Sequence, residues 1–498
     1  MSDDDDEIRK FLPSGFGRQT STHDFESQYK KTIRPDYAAR QAKKAEAVDD
    51  SESDDDDDDE LDEMPISHEL LLKEHTKTIS ALDIDPAGVR LASGAYDFDL
   101  DLWDFNGMNP AFQKPFRSIE PSESHLIRDV QFSLNGEYLL VIPSSSQAKI
   151  LTRDGVEVSE FTRGDMYIRD MNNTSGHIAE LTSGRWHPSN YTTLATSALD
   201  STIRIWDSNV RRTQSHVIII KPKSVKHSKP HVSAIAWKAD DGRYIAAAAN
   251  DGSIGYWSAT GPYSRPVATI ADAHEPDSWT SALEYGSNGT TLVSRGGDGT
   301  VKLWDTRSFK KPMMTRGGLV NSIPETSIGF SPDERYIITG TSATPEEPIG
   351  KLHILDKSDL STVTALKFTV PEEDEKKSSA AKPVSVVRSL WHPKLNQIAV
   401  GTSTGAVHVL FSRDYSTKGA KLVIEKTPKV RHVDDDLTAD IDLVAASTTP
   451  GSGGGPRKKK TDAYKPEIPL VRKMHGEIGV VNEFEDEEDK NNKRRKYL

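Results

Sequence analysis

The sequence predicts an all-β fold of seven repeated units between two compositionally biased tails, on three observations. A phrase ending in Trp-Asp recurs along the middle of the chain, and its copies fall at a regular interval. The stretches between copies are short runs of alternating apolar residues bounded by turn residues, as in Leu100, Leu102 and Ile203, Ile205. Helical periodicity is not visible anywhere in residues 65–428.

The clearest copies run from Ser93-Gly94-Ala95-Tyr96-Asp97 to Leu102-Trp103-Asp104, from Thr196-Ser197-Ala198-Leu199-Asp200 to Ile205-Trp206-Asp207, and from Ser294-Arg295-Gly296-Gly297-Asp298 to Leu303-Trp304-Asp305. In each, the Asp precedes the Trp by six. A fourth copy keeps Asp251 and Trp257 at that spacing but ends in Ser258. Weaker copies place Arg153, Leu355 and Leu410 where the Trp should fall, giving the series 103, 153, 206, 257, 304, 355, 410 and hence seven units. His75, His177 and His274 stand upstream of the good copies.

This pattern resembles WD repeats, and seven of them imply a β-propeller of four-stranded antiparallel blades around a central channel. The resemblance implies that Asp97, Asp200 and Asp298 sit in the turn between the second and third strands and bond the blade's His. That His would meet the hydroxyl of Ser93, Thr196 or Ser294, which receives the indole N–H of Trp103, Trp206 or Trp304. These His and Asp residues are then structural rather than catalytic, because each buried polar group must find a partner. Residues just before the turn Asp, namely Tyr96, Leu199, Asn250 and Gly297, are expected to line the upper face, with Trp279 near them. The segment Ser67 to Leu72 reads as an outer strand without a blade of its own, and the last unit lacks a fourth strand, so pairing the two would remove the exposed edge. Gln147 for Asp and Arg153 for Trp mark the second blade as degenerate, the sixth and seventh lack the network, and Pro371 to Lys382 reads as an inserted loop.

The flanks differ from this core. The chain has 498 residues, 63 basic and 77 acidic, for a net charge of −14. Residues 1–64 hold 21 Asp or Glu against 9 Lys or Arg, which concentrates nearly all of that charge in one arm. Runs such as Asp54 to Asp59 repel themselves and bury nothing, so residues 1–64 are expected to be a disordered acidic arm. Within it, residues 11–29 carry Phe11, Phe16, Phe25 and Tyr29, either a short motif that orders on a partner or local apolar noise. Ser51 and Ser53 precede carboxylates and would suit an acidophilic kinase. Residues 65–428 are assigned to the propeller and 429–498 to a mostly disordered tail. Its basic clusters, Arg457, Lys458, Lys459, Lys460 and Lys493, Arg494, Arg495, Lys496, suit nuclear import or phosphate contact, against the alternative of a solvated tail.

The absence of cysteine excludes a disulfide framework, a thiolate zinc site, an iron–sulfur cluster and a cysteine nucleophile. The acidic start is the opposite of a secretory signal, and no apolar run approaches the length of a membrane span. Phosphate loop, nucleophile elbow and zinc-protease signatures are missing, so an enzyme, a cofactor, a metal and a small-molecule substrate are not expected.

Several features outside the repeat are similar to one family: Pro65 to Glu69, Trp103 to Met108, Gln147-Ala148-Lys149 with Arg153-Asp154-Gly155, Gly164 to Met171, Gly350-Lys351-Leu352, and Ser14 to Gly17. They resemble the gastrulation-defective family of WD-repeat proteins over most of residues 10–430. That resemblance implies a nuclear, non-enzymatic scaffold, linked to cullin-4 ubiquitin ligases in histone monoubiquitination and double-strand break repair. Alternatively, it implies a structural subunit of the spliceosome in pre-mRNA splicing, its tails touching protein or RNA. The fifth unit is similar to the adaptor-binding box ending in Trp-Asp-x-Arg, through Asp305 and Arg307, whereas Asn106 and Asn209 stand at the Arg position elsewhere. A solvated Arg is the bland alternative.

Overall fold

A computed structural model describes residues 25–47, 63–168, 170–221, 229–276, 278–368, 383–426, 471–474 and 477–480. The alternating segments become strands and pair into seven four-stranded antiparallel sheets. The first sheet is Ile79–Ile84, Arg90–Ala95, Leu100–Asp104 and Arg117–Ile119. The next five begin with Ile127–Phe132, Leu181–Trp186, Val232–Trp237, Thr280–Tyr285 and Ile328–Phe330, each adding its strands in chain order. The seventh takes Val386–His392, Gln397–Thr402 and Ala406–Phe411 from one end of the ring and His68–Lys73 from the other. His68 to Lys73 pair antiparallel with Phe411 to Ala406, so the ring closes on backbone hydrogen bonds and the last sheet has no bare edge there.

The core is distributed. Seven clusters of buried apolar side chains lie between neighbouring blades, because each sheet buries both faces against its neighbours. The large residue of each third strand packs back on the preceding blade: Trp206 on Leu140, Ile142 and Ile150, and Trp304 on Ala246, Ala248 and Ile254.

Register corrects one expectation. Trp103, Trp206, Trp257 and Trp304 oppose Leu91, Leu194, Ile245 and Leu292 on the second strand of their blades. In the second blade the matching residue, Leu139, opposes Leu151, so buried Leu151 and not Arg153 occupies the tryptophan position. Counting back six places Ser145, not Gln147, at the turn. An arginine could not take that place, since its charge would lie unpaired between two apolar sheets.

The N-terminal arm departs further from expectation. Residues 25–47, read as part of a disordered arm, form the helices Phe25–Thr32 and Pro35–Ala47. The first lies on the seam that closes the ring. Tyr29 is buried, donates its hydroxyl to Glu425 at 2.8 Å, and meets His68 edge-on at 5.6 Å. His68 stacks on Phe411 across the seam at 5.3 Å, and the Arg413 guanidinium lies 5.1 Å from the Tyr29 ring. Ile33 bridges His68 through the backbone. Arg34, only 3% exposed, donates to the Lys367 carbonyl at 2.7 Å, sits over Phe368 at 4.8 Å and faces Glu69 at 3.7 Å. A short helix, Ala420–Glu425, buries Ala420, Val423 and Ile424 beneath this clasp, where no helix was expected.

Residues 429–498 form a separate unit, in which Val471–Met474 pairs antiparallel with Glu477–Val480. Residues 11–24 of the motif, Ser51, Ser53, the 371–382 insertion and the basic clusters at 457–460 and 493–496 lie outside the described residues.

Removing the Arg34 side chain takes away a charge-assisted bond and a cation–π contact at the seam. Arg34→Ala is expected to lower unfolding free energy by about 2 kcal/mol, checked by urea denaturation; no change would mean that the clasp adds nothing to closure.

Candidate interaction surface

Three blades carry a four-residue hydrogen-bond chain. His75 lies 3.2 Å from Asp97 through Nδ1 and 2.9 Å from the Ser93 hydroxyl through Nε2, and the Trp103 indole donates to that hydroxyl at 2.9 Å. His177 joins Asp200 at 3.0 Å and Thr196 at 2.8 Å, and Trp206 donates to Thr196 at 2.8 Å. His274, Asp298, Ser294 and Trp304 repeat the arrangement at 3.0, 2.8 and 2.9 Å. The fourth blade keeps Asp251, which accepts from Ser253 N–H at 3.0 Å, but Ala247 stands where a hydroxyl would be, and Trp257 is held by the cluster it packs in.

The chains differ electrically. Burial disfavours charge on both His75 and His177. At His75 the Asp97 bond and the nearby Asp101 carboxylate, 3.4 Å from Nε2, outweigh burial and raise its pKa above the usual 6.5. At His177 burial prevails over Asp200, the Arg204 cation adds to it, and the pKa falls. Although burial opposes it, the His177 partnership holds Asp200 at about 2.

The expected upper-face residues gather round one opening. Leu199, Asn250 and Trp279 line a cavity of about 210 Å³. The Tyr96 hydroxyl donates to Glu325, which lines the same cavity, and Gly297 N–H donates to the Trp279 carbonyl at 2.7 Å. A Cβ on Gly297 would stand 3.0 Å from the indole, so any larger residue there would press on Trp279. The Trp279 Nε1–H has no hydrogen-bond partner among the described residues.

The charged lining of this opening escaped the sequence reading. Asp129, buried, accepts from Arg388 at 3.1 Å, from the Ser183 hydroxyl at 3.1 Å and from Arg185. Burial alone would raise its pKa, but Arg185 and Arg388 together hold it low. Glu325 takes Arg128 as well as Tyr96. Nearby, burial pushes Asp83 up to about 7 against the Phe132 N–H bond, and Glu284 up to about 6 against Arg185. The available signal was a charged residue at the fifth place of an otherwise uncharged first strand, at Asp83, Arg185 and Glu284. The carboxylates and guanidiniums answer one another, which makes a surface of mixed sign suited to gripping a polar peptide. Among the described residues, no three His, Asp or Glu converge on a metal position.

On the rim of the fifth blade, Asp305 caps a single 3₁₀ turn, Thr306–Ser308, by accepting Arg307 N–H at 2.8 Å. Asp104 and Asp207 accept from Asn106 and Asn209 in the same way, each at 2.9 Å. The turn uses only the backbone of that residue, and the Arg307 side chain is exposed with no ion pair among the described residues.

Two outcomes test the chains. Ser294→Ala leaves the His274 Nε2 and the Trp304 N–H without their shared buried partner and is expected to cost about 2–3 kcal/mol in urea denaturation, whereas Ser294→Thr, which reproduces the third blade, stays near wild type. In an NMR titration, His75 is expected to titrate above 6.5 and His177 below it. The raised His75 value stabilises the fold below pH 6.5 and loses that contribution as pH rises through the folded value; the lowered His177 value contributes above pH 6.5 and loses it as pH falls. Asp101→Asn should bring His75 down, and an unmoved His75 would contradict the assignment.

Comparison with known proteins supports the repeat reading directly. The family model "WD domain, G-beta repeat" matches residues 67–104, 170–207, 221–258 and 264–305, the units that end at the four tryptophans. WD repeat-containing protein 70 of Xenopus laevis is 41% identical over 381 residues, 76% of this chain and 58% of that protein. The gastrulation defective protein 1 homolog of Drosophila melanogaster is 35% identical over 74% of this chain and 54% of its own length. An uncharacterised WD repeat-containing protein of Schizosaccharomyces pombe is 30% identical over 466 residues, 89% of this chain and 79% of its length. The chain thus spans little more than half of the animal proteins it matches. Propellers of this repeat class typically serve as non-enzymatic scaffolds for protein interaction. With its closed seven-bladed ring and these likenesses, the chain belongs to the family of WD repeat-containing protein 70.

Proposed function

We propose that this chain is a nuclear, non-enzymatic receptor that docks on the adaptor of a cullin-4 ubiquitin ligase through its fifth blade and presents a chromatin protein for histone monoubiquitination in double-strand break repair. The observation that carries the reading is Arg307. Its backbone completes the same Asp-capped turn that Asn106 and Asn209 complete in other blades, so the fold makes no demand on the guanidinium. An exposed, planar guanidinium on a fixed turn can make a bidentate bond to a carboxylate of a partner, and burial of such a pair makes it strong. The mixed-charge opening beside Trp279 then remains available for the presented protein, and the acidic arm favours basic histone surfaces.

A threaded role for the N-terminal arm in a splicing assembly is less supported, since Tyr29 and Arg34 are engaged on the protein's own ring seam. Affinity purification from nuclei of the wild type, Arg307→Ala and Asn209→Ala tests the proposal. Loss of the ligase adaptor by about tenfold or more with Arg307→Ala alone is expected. Adaptor recovery unchanged by Arg307→Ala, or splicing proteins recovered equally by all three without any adaptor, would overturn it.

A further inference from the structure

The connection from the second blade to the third, described over residues 161–168 and 170–180, presents three consecutive apolar side chains to solvent, whereas the other exposed apolar residues of the ring, such as Phe112, Val267 and Met313, stand singly. Met166, Tyr167 and Ile168 are 59%, 87% and 36% exposed and adjacent in sequence. Side chains so open bury little surface when the chain folds, and a contiguous apolar patch of this kind marks a site of interaction.

The base of this loop is nonetheless firmly built. Gly164 N–H donates to the His177 carbonyl at 2.9 Å, which ties one stem to the third blade's buried hydrogen-bond chain. Gly164 and Gly176 approach so closely that a Cβ on Gly164 would lie 2.1 Å from the Gly176 oxygen. Inside the other stem, Arg204 is wholly buried and donates to the carbonyls of Thr174 at 2.7 Å and Met171 at 3.3 Å, while Gln214 adds a bond to Thr174 O at 2.6 Å. Asp170 accepts from Asn172 N–H at 3.0 Å, and Asp165 accepts from Tyr167 N–H at 2.9 Å. A buried guanidinium bonded to loop carbonyls recurs at Arg295 in the fifth blade, so the anchor is a device of the fold. Here it lies beneath an exposed apolar tip, and a loop so held loses less entropy on binding.

The surroundings of the tip indicate what it meets. Thr162 donates to the Arg211 carbonyl at 3.2 Å, which brings the 211–212 turn beside the stem. Arg163, Arg211 and Arg212 are exposed, and no ion pair of theirs occurs among the described residues. We propose that Met166, Tyr167 and Ile168 form a docking tip for a partner protein, inserting into an apolar cleft whose border carries carboxylates that pair with Arg163, Arg211 and Arg212. Two aliphatic neighbours favour a protein cleft over nucleic acid: bases stack on aromatic faces, and Met166 and Ile168 would gain nothing from them. This surface is independent of Arg307 and does not rest on the ligase reading.

The test replaces Tyr167 in the full chain with a photoreactive benzoylphenylalanine, crosslinks in nuclear extract, and identifies the crosslinked segment by mass spectrometry. Binding of that segment's parent protein is then measured with purified components. The expected result is one protein, crosslinked at an apolar segment flanked by Asp or Glu. Its affinity falls about tenfold or more with Met166→Ser combined with Tyr167→Ser, and several-fold with Arg211→Glu combined with Arg212→Glu. The weakening should grow with salt for the wild type but not for the Arg variants. Because all these side chains are exposed, the melting temperature should not move, and Arg307→Ala should leave the crosslink intact whichever way the adaptor experiment ends. A crosslink to RNA, a crosslink only to a second copy of this chain, no crosslink, or an affinity indifferent to Tyr167 would each overturn the proposal.

Discussion

Closure of the ring is the constraint on which the rest depends. Each blade buries its two faces only because a neighbour stands on either side, and the seventh blade exists only when His68–Lys73 returns to pair with Ala406–Phe411. Until those six residues meet, the clusters that join the seventh blade to the first and the sixth to the seventh are incomplete. The seam is accordingly reinforced beyond its backbone bonds. His68 stacks on Phe411 across it, and Tyr29 and Arg34 cover it from the arm. Polar and aromatic contacts concentrate there because a sheet edge otherwise exposes unpaired amides to water and to other chains.

The seven-unit architecture was legible because its signal is covalent spacing. An indole donor, a hydroxyl and a turn carboxylate must fall at fixed intervals to meet within one sheet, so the sequence itself records the register in the first, third and fifth blades. Where that chemistry is missing, the count loses its anchor. In the second blade nothing polar marks the place, and the residue that fills it, Leu151, is distinguished from Arg153 only by which of them faces Leu139. The helices of the arm were hidden for a different reason. Residues 25–47 contain few apolar groups, and the stretch from Tyr29 to Arg34 is held by surface that the ring supplies: Glu425 for the Tyr29 hydroxyl, Lys367 O and Phe368 for Arg34. Composition measures what a segment can bury by itself and is blind to what a distant segment offers it.

The charged groups in and beside the opening illustrate a limit of another kind. Asp83, Asp129, Arg185, Glu284 and Arg388 lie on five separate strands, and each alone reads as the polar member of an alternating pair. Only the ring brings their first strands together, and only then does one carboxylate, Asp129, become buried between two guanidiniums while Asp83, less well compensated, is pushed up to about 7. The sign and strength of that surface are properties of convergence. The hydroxyl, imidazole and indole of a blade, by contrast, stand within about thirty residues of each other.

A closed ring also clarifies which side chains are free to serve a partner. Asp298 and Trp304, by which the fifth unit is recognised, are committed to His274 and Ser294 and would be required whatever the protein bound. Arg307 is not: the turn it occupies takes asparagine elsewhere in the same molecule, and its guanidinium bonds nothing among the described residues. Tyr167 satisfies the same criterion more strongly. Its backbone is fixed by Asp165 and its loop by buried Arg204, while its ring lies almost wholly in water. In a protein whose polar interior is devoted to holding blades together, a side chain rigidly placed yet unused by the fold is the physical mark of an interaction site. By that mark the rim at Arg307 and the tip at Tyr167 stand apart from the conspicuous Asp–His pairs, whose perturbed titration reflects burial within the blades.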